Sequence, residues 1–259
     1  MNFRYSFFLL LLFIFGNAQT QPQDNYVKDN FTKQEFYIPM RDGTKLFTAV
    51  YVPKDISNKN KYPFLMQRTC YSIAPYGENE YRRGLGPNKY LMNEKYIFVY
   101  QDVRGRYMSE GTFTNMTPQV ERKTKKDVDE STDTYDTIEY LIKNIKDNNG
   151  KVGQYGTPYP GFYTAVGTLA QHPALVASSP QAPISDFWND DFLHNGRFML
   201  GYFKTFPVFG VQKTKPENKA WYSNSMIKAS SEDGLKFYRD MGTLKDGYEK
   251  YYKDNFFMT

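Results

Sequence analysis

Lys151-Val152-Gly153-Gln154-Tyr155-Gly156-Thr157-Pro158-Tyr159-Pro160-Gly161-Phe162 reads as a short strand, a tight turn bearing glycine and proline, and the approach to a helix. The strand is expected over 151–156 and the helix, rich in small residues, from Phe162 to Gln171, ending before Pro173. Leu175-Val176-Ala177-Ser178-Ser179 follows as another strand. On the N-terminal side, Tyr62–Met66 and Tyr96–Tyr100 are continuous apolar runs, as expected of strands buried on both faces of a parallel sheet. Glu35–Met40 and Leu46–Val52 flank Arg41-Asp42-Gly43-Thr44, the signature of a hairpin. Between the strands, a polar stretch around Glu80–Lys95 has helix potential. From Asp127 to Ile145, acidic residues crowd the first turns while Tyr135, Ile138, Leu141 and Ile142 recur at helical spacing. Strands alternating with helices predict an α/β fold with a mostly parallel sheet.

The texture changes at Asp186. Trp188, Phe192, Phe198, Tyr202 and Phe206 make an irregular aromatic run, Lys213–Ala229 is polar, and Ser231–Tyr252 has helical character, so a second, mainly helical region is expected over 186–259. At the other end, Met1–Arg4, the apolar Tyr5–Gly16 and the small residues to Ala18 form a secretory signal over 1–18. A polar leader, 19–34, and a core, 35–185, complete the division. The apolar stretch is short for a membrane span, and no cysteine stands at the cleavage point to take a lipid, so an exported chain without a stable membrane anchor is expected.

Composition narrows the classes further. Of 259 residues, 40% are hydrophobic and 24% charged, which suits a packed globular chain and excludes a disordered or collagenous one. The charge of +5 is modest and scattered; its longest basic run, Arg122–Lys126, reads as a solvated stretch, and nucleic acid is not an expected partner. A single cysteine, Cys70, leaves an exported protein to be held by its core rather than by disulfides. No cluster has metal-ligand spacing, no phosphate-cradling loop is visible, and no cofactor is expected.

The layout around position 158 is that of a nucleophile elbow. Here the chain resembles the secreted serine hydrolases grouped as Xaa-Pro dipeptidyl-peptidase-like, cocaine esterase-like and α-amino acid ester hydrolases. The resemblance runs from about Phe36 onward and is carried by Ile38–Leu46, Arg68-Thr69-Cys70-Tyr71, Gln101–Arg106 with Ser109-Glu110-Gly111, Tyr159-Pro160-Gly161-Phe162, His172–Leu175 and Asp190-Asp191-Phe192. It implies an α/β-hydrolase sheet flanked by helices and followed by the beginning of a helical cap. It also implies hydrolysis of a small acyl ester, an amino acid ester or an Xaa-Pro peptide through an acyl-serine.

The elbow pattern of these relatives, Gly-x-Ser-Tyr-x-Gly, places the nucleophile at Pro158, which has no hydroxyl to attack an acyl carbon. Thr157 and Tyr159 are expected as turn residues, because an elbow presents one side chain. By resemblance, the Tyr71 hydroxyl and the Tyr159 backbone N–H are the oxyanion donors. Cys70 stands where a proline is usual. Asp190 and Asp191 match an acidic pair that holds a substrate's α-ammonium; their other reading is a helix N-cap. Asp102, Arg104 and Arg106 are expected to support loops through buried ion pairs and hydrogen bonds. The two histidines, His172 and His194, follow the elbow too closely to be the base. The acid and base are expected beyond the cap, which makes this a truncated hydrolase with an incomplete core. A catalytically dead, binding-only remnant is the alternative, and an error in the sequence at Pro158 is a third.

Overall fold

The structure, a computed structural model, describes residues 25–121, 124–186, 188–190, 192–205, 215–218 and 234–251. The expected signal, residues 1–18, and Asp191 lie outside them. Six strands form one sheet: β1 (Phe31–Pro39), β2 (Lys45–Pro53), β3 (Tyr62–Thr69), β4 (Ile97–Asp102), β5 (Asn148–Gly156) and β6 (Leu175–Pro180). Their spatial order is β1-β2-β4-β3-β5-β6; β2 lies antiparallel to both its neighbours, β1 and β4, and β4, β3, β5 and β6 run parallel.

Alternation along the strands builds two apolar layers. Val50, Val52, Met66, Ile97 and Val99 face one side, where Ile138 and Leu141 of α3 (Glu130–Asn144) cover them. Ala49, Tyr51, Phe98 and Tyr100 face the other, against Val27 of α1 (Tyr26–Asn30) and Met92 of α2 (Lys89–Asn93). Because both layers are covered, β2 and β4 are buried nearly throughout, and their sequences read as unbroken apolar runs. Helix α3 begins at a capping box: the Asp129 carboxylate accepts the Ser131 and Thr132 N–H groups at 3.0 Å, and the Thr132 hydroxyl accepts the Asp129 N–H.

Four local expectations shift. Within 80–95 only the five residues of α2 are helical, because Gly86 takes a φ of +71° beside Phe98 and Pro87 follows it. Helix α4 (Tyr159–Thr168) starts three residues before Phe162, since Pro160 in its first turn needs no N–H partner. The ordered core begins before residue 35: Val27 and Phe31 are fully buried. Finally, the region after Asp186 opens with a two-stranded hairpin, β7 (Leu193–His194) and β8 (Arg197–Phe198), rather than a helix. Its turn residues Asn195 and Gly196 have φ of +53° and +79°, the geometry an Asn-Gly pair favours in a two-residue hairpin. A 3₁₀ helix (Leu200–Thr205) follows, then α5 (Gly234–Met241), which packs Phe237 and Met241 on Phe203, and α6 (Leu244–Tyr251), whose Tyr248 and Tyr251 lie against that cluster. No helix among the described residues is long and apolar enough to cross a membrane.

Candidate active site

The turn between β5 and α4 is as tight as the sequence suggests. A Cβ on Gly156 would lie 2.1 Å from the Pro160 carbonyl oxygen, and one on Gly161 would lie 2.4 Å from that of Gln181. Both glycines are therefore required by close backbone approach. Pro158 sits at the head of α4 with φ −76° and ψ −43°, and its carbonyl accepts the Phe162 N–H at 3.1 Å. This is ordinary helical backbone. The expected nucleophile position thus carries no hydroxyl and no backbone strain.

Tyr159, next in the chain, is the first residue of α4, so its N–H belongs to the amides that the helical ladder does not use. Its ring is buried, stacks on Tyr163 at 5.2 Å and meets the edge of Tyr71 at 6.0 Å. Its hydroxyl accepts the Met116 N–H at 2.9 Å and donates to Asn115 Oδ1 at 3.0 Å. Burial raises the Tyr159 pKa well above the ordinary phenol value, so this hydroxyl stays protonated. The structure therefore brings together the two residues expected to stabilise an oxyanion, at the head of the helix that Pro158 opens.

The loop that carries Tyr71 is held from below. Asp102, at the end of β4, is buried; its carboxylate accepts the Ile73 N–H at 3.0 Å, the Tyr76 hydroxyl at 2.9 Å and the Met108 N–H at 3.3 Å. Burial pushes its pKa up to about 7, against the pull of those donors and of Arg106. Arg106, also buried, donates from Nε to the Cys70 carbonyl at 2.9 Å and lies over the Phe113 ring at 4.8 Å. Burial drives the Cys70 thiol to about 12, so it is an inert packing group here. Arg104 bridges Asp42 of the β1–β2 turn, at 2.7 Å, to Asp133 of α3, also at 2.7 Å. Arg68 enters the same layer: it donates to Gln101 at 2.7 Å and faces Glu130 at 3.1 Å, where desolvation raises the Glu130 pKa. Asp102, Arg104 and Arg106 thus do what the sequence suggests, fixing loops rather than facing a substrate.

The contacts of the two histidines are with their own surroundings, and His172 is remote from the elbow. His172 lies past the C-terminal end of α4, and a ten-residue helix at about 1.5 Å per residue separates it from Pro158 by roughly 15 Å. Its Nδ1 accepts the Ala174 N–H at 3.1 Å and its Nε2 meets Glu139 at 3.0 Å, with the ring packed on Tyr135 at 4.6 Å. It joins β6 to α3. His194 is exposed and pairs with Arg197 across the hairpin. Asp190 lies on an exposed turn whose N–H groups bond back to Asp186; no helix starts there, so the N-cap reading fails for Asp190. Asp186 holds this turn, its carboxylate accepting the Trp188 N–H at 2.8 Å. Among the described residues, no three His, Cys, Asp or Glu side chains are grouped to hold a metal ion. Asn115 and Met116, which grip Tyr159, carry no signal in the sequence: they sit in a polar stretch without periodicity.

The fold recurs in solved structures. An aminopeptidase from the marine sediment archaeon Thaumarchaeota archaeon is 32% identical with a TM-score of 0.70, the match covering 85% of this chain and 36% of that one. An α-amino acid ester hydrolase is also 32% identical, with a TM-score of 0.71 over 86% of this chain and 35% of that one. A Mycobacterium bovis protein whose name describes a serine esterase is 24% identical over 166 residues, 60% of this chain and 25% of that protein. The chain thus spans about a third of the length of the two structures and a quarter of the mycobacterial protein. The family model for X-Pro dipeptidyl-peptidase (S15 family) matches residues 42–253, from the β1–β2 turn to just past α6. On the sheet, the elbow and this match, the chain belongs to the S15 family of X-Pro dipeptidyl-peptidases, α/β-hydrolases in fold.

Proposed function

We propose that this chain carries the elbow and the oxyanion half of a serine hydrolase of the acyl esterase or Xaa-Pro dipeptidyl-peptidase type, with the nucleophile position occupied by Pro158, so that the polypeptide as written does not turn over. The observation that carries the reading is the meeting of Tyr71 and Tyr159 at 6.0 Å beside a proline in helical conformation. In a chain with serine there, the hydroxyl would attack an acyl carbon and form an acyl-serine. The Tyr71 hydroxyl and the Tyr159 N–H would meet the oxyanion. The substrate class is a small acyl ester, an amino acid ester or an Xaa-Pro peptide, and Asp190 with Asp191 would receive an α-ammonium where the substrate has one. The core, which starts before residue 35 and runs to about 185, leads into the beginning of a cap, and the protein is exported after cleavage near Ala18.

A second reading, a binding-only pseudoenzyme, is favoured by the same Pro158 and by the placement of His172 and His194 in structural contacts. The two readings part on p-nitrophenyl ester hydrolysis by three proteins. The chain as written is expected to be inactive, and Pro158→Ser nearly so, because no base is in reach. Pro158→Ser extended by whatever reading frame lies downstream is expected to gain several orders of magnitude, since triad members act as a unit. A fast esterase from Pro158→Ser alone would make one of the two histidines the base and overturn the proposal. An extended Pro158→Ser protein that stays inactive would favour the pseudoenzyme.

A further inference from the structure

On the sheet face opposite α3 and α4, at the carboxyl ends of β3, β4 and β5, a cavity of about 410 Å³ lies beside the elbow turn, lined among others by Gln67, Arg82, Pro87, Tyr100, Tyr155 and Thr157. The place is favourable for a ligand. The chain goes from β3 to β4 on one side and from β4 to β5 on the other, and open α/β sheets bind ligands where the order reverses, outside the carboxyl ends of the strands. Its chemistry is specific. The Arg82 guanidinium carbon lies 4.1 Å from the centre of the Tyr100 ring, and no carboxylate among the described residues pairs with it. A ring contact uses none of the guanidinium N–H donors, whose fork matches a planar acceptor. The Tyr100 hydroxyl accepts the Gly86 N–H at 2.7 Å, and Tyr155 lines the same cavity. Accepting that bond leaves the Tyr100 hydroxyl hydrogen to donate. Pro87 and the edge of Tyr155 supply apolar contact beside one cationic fork.

We propose that this cavity binds a small monocarboxylic acid, its carboxylate on the Arg82 fork and its apolar part against Pro87 and the edge of Tyr155. A carboxylate matches the guanidinium fork in two hydrogen bonds, which a neutral amide cannot do. The site is distinct from the oxyanion residues Tyr71 and Tyr159, and the proposal stands whether or not the chain hydrolyses anything.

The test is a titration of the whole ¹⁵N-labelled chain with benzoate, with its neutral isostere benzamide, and with inorganic phosphate. Benzoate is expected to move the Arg82, Gly84 and Gly86 amide signals to saturation. Benzamide should bind at least about tenfold more weakly, the worth of one charge-assisted hydrogen bond. Phosphate, which has no apolar part, should also be weaker by about tenfold, since burying one ring face is worth at least that. Arg82→Gln should abolish the preference for benzoate over benzamide, with Arg82→Lys keeping part of it. The proposal is overturned if benzoate fails to bind, if benzamide or phosphate binds as well as benzoate, or if Arg82→Gln leaves the preference intact. The ligand comparison needs no variant, so it stands even if Arg82→Gln does not fold.

Discussion

At position 158 the pyrrolidine ring holds φ at −76°, inside the range proline imposes, and the helix above it starts without an N-terminal distortion. A serine there would be free to take the strained turn of an elbow; proline is not. Nearby residues keep their places for reasons that do not involve position 158. Asp102 is the clearest, because three donors from two loops converge on one buried carboxylate. Its folded pKa is raised by burial to about 7, well above the ordinary carboxylate range. A raised pKa means that the folded state binds the proton more tightly. The contribution to stability is then full below the ordinary value and is lost as the pH rises through about 7. Urea midpoints of the wild type should therefore fall between pH 5 and pH 8 more steeply than those of Asp102→Asn. An Asp102→Asn protein with an unchanged slope would place the titrating group elsewhere.

Among the elements, the β5–α4 junction is the most constrained. Gly161→Ala would drive a methyl to 2.4 Å from the Gln181 carbonyl oxygen at the end of β6, where neither partner can give way. Overpacking of this kind costs about 1–3 kcal/mol, and a lowered urea midpoint would report it. An unchanged midpoint would mean that α4 and β6 are not held this closely. This junction was legible in the sequence because a strand, a glycine turn and a small-residue helix leave a local trace. So were β2, β4 and α3, whose apolar runs and acidic first turn reflect burial on two faces and a capped helix start. Elements set by tertiary contact were harder to read. The shortness of α2 follows from Gly86 beneath the Phe98 ring, a contact 12 residues apart in the chain that no local pattern records. The β7–β8 hairpin did leave a signal in Asn195-Gly196, but its strands are two residues each and show no alternation.

For the molecule as a whole, the sheet order placed Tyr71 after β3 and Tyr159 after β5 on adjacent strands, so that residues far apart in sequence meet edge to face. Spacing alone could not have shown this; the resemblance of the motifs did. The grip of Asn115 on Tyr159 and of Arg106 on Cys70 was not legible, because buried polar contacts between loops have no period. The central claim concerns what this arrangement lacks. A fluorophosphonate reacts with an activated serine or other hydroxyl nucleophile, whatever the substrate, and mass spectrometry maps the site. Incubated with the folded chain, the probe is expected to leave the turn from Thr157 to Tyr159 unlabelled, since Pro158 has no hydroxyl and Tyr159 is buried with its hydroxyl committed to Asn115 and Met116. Stoichiometric labelling of any residue in that turn would contradict the account.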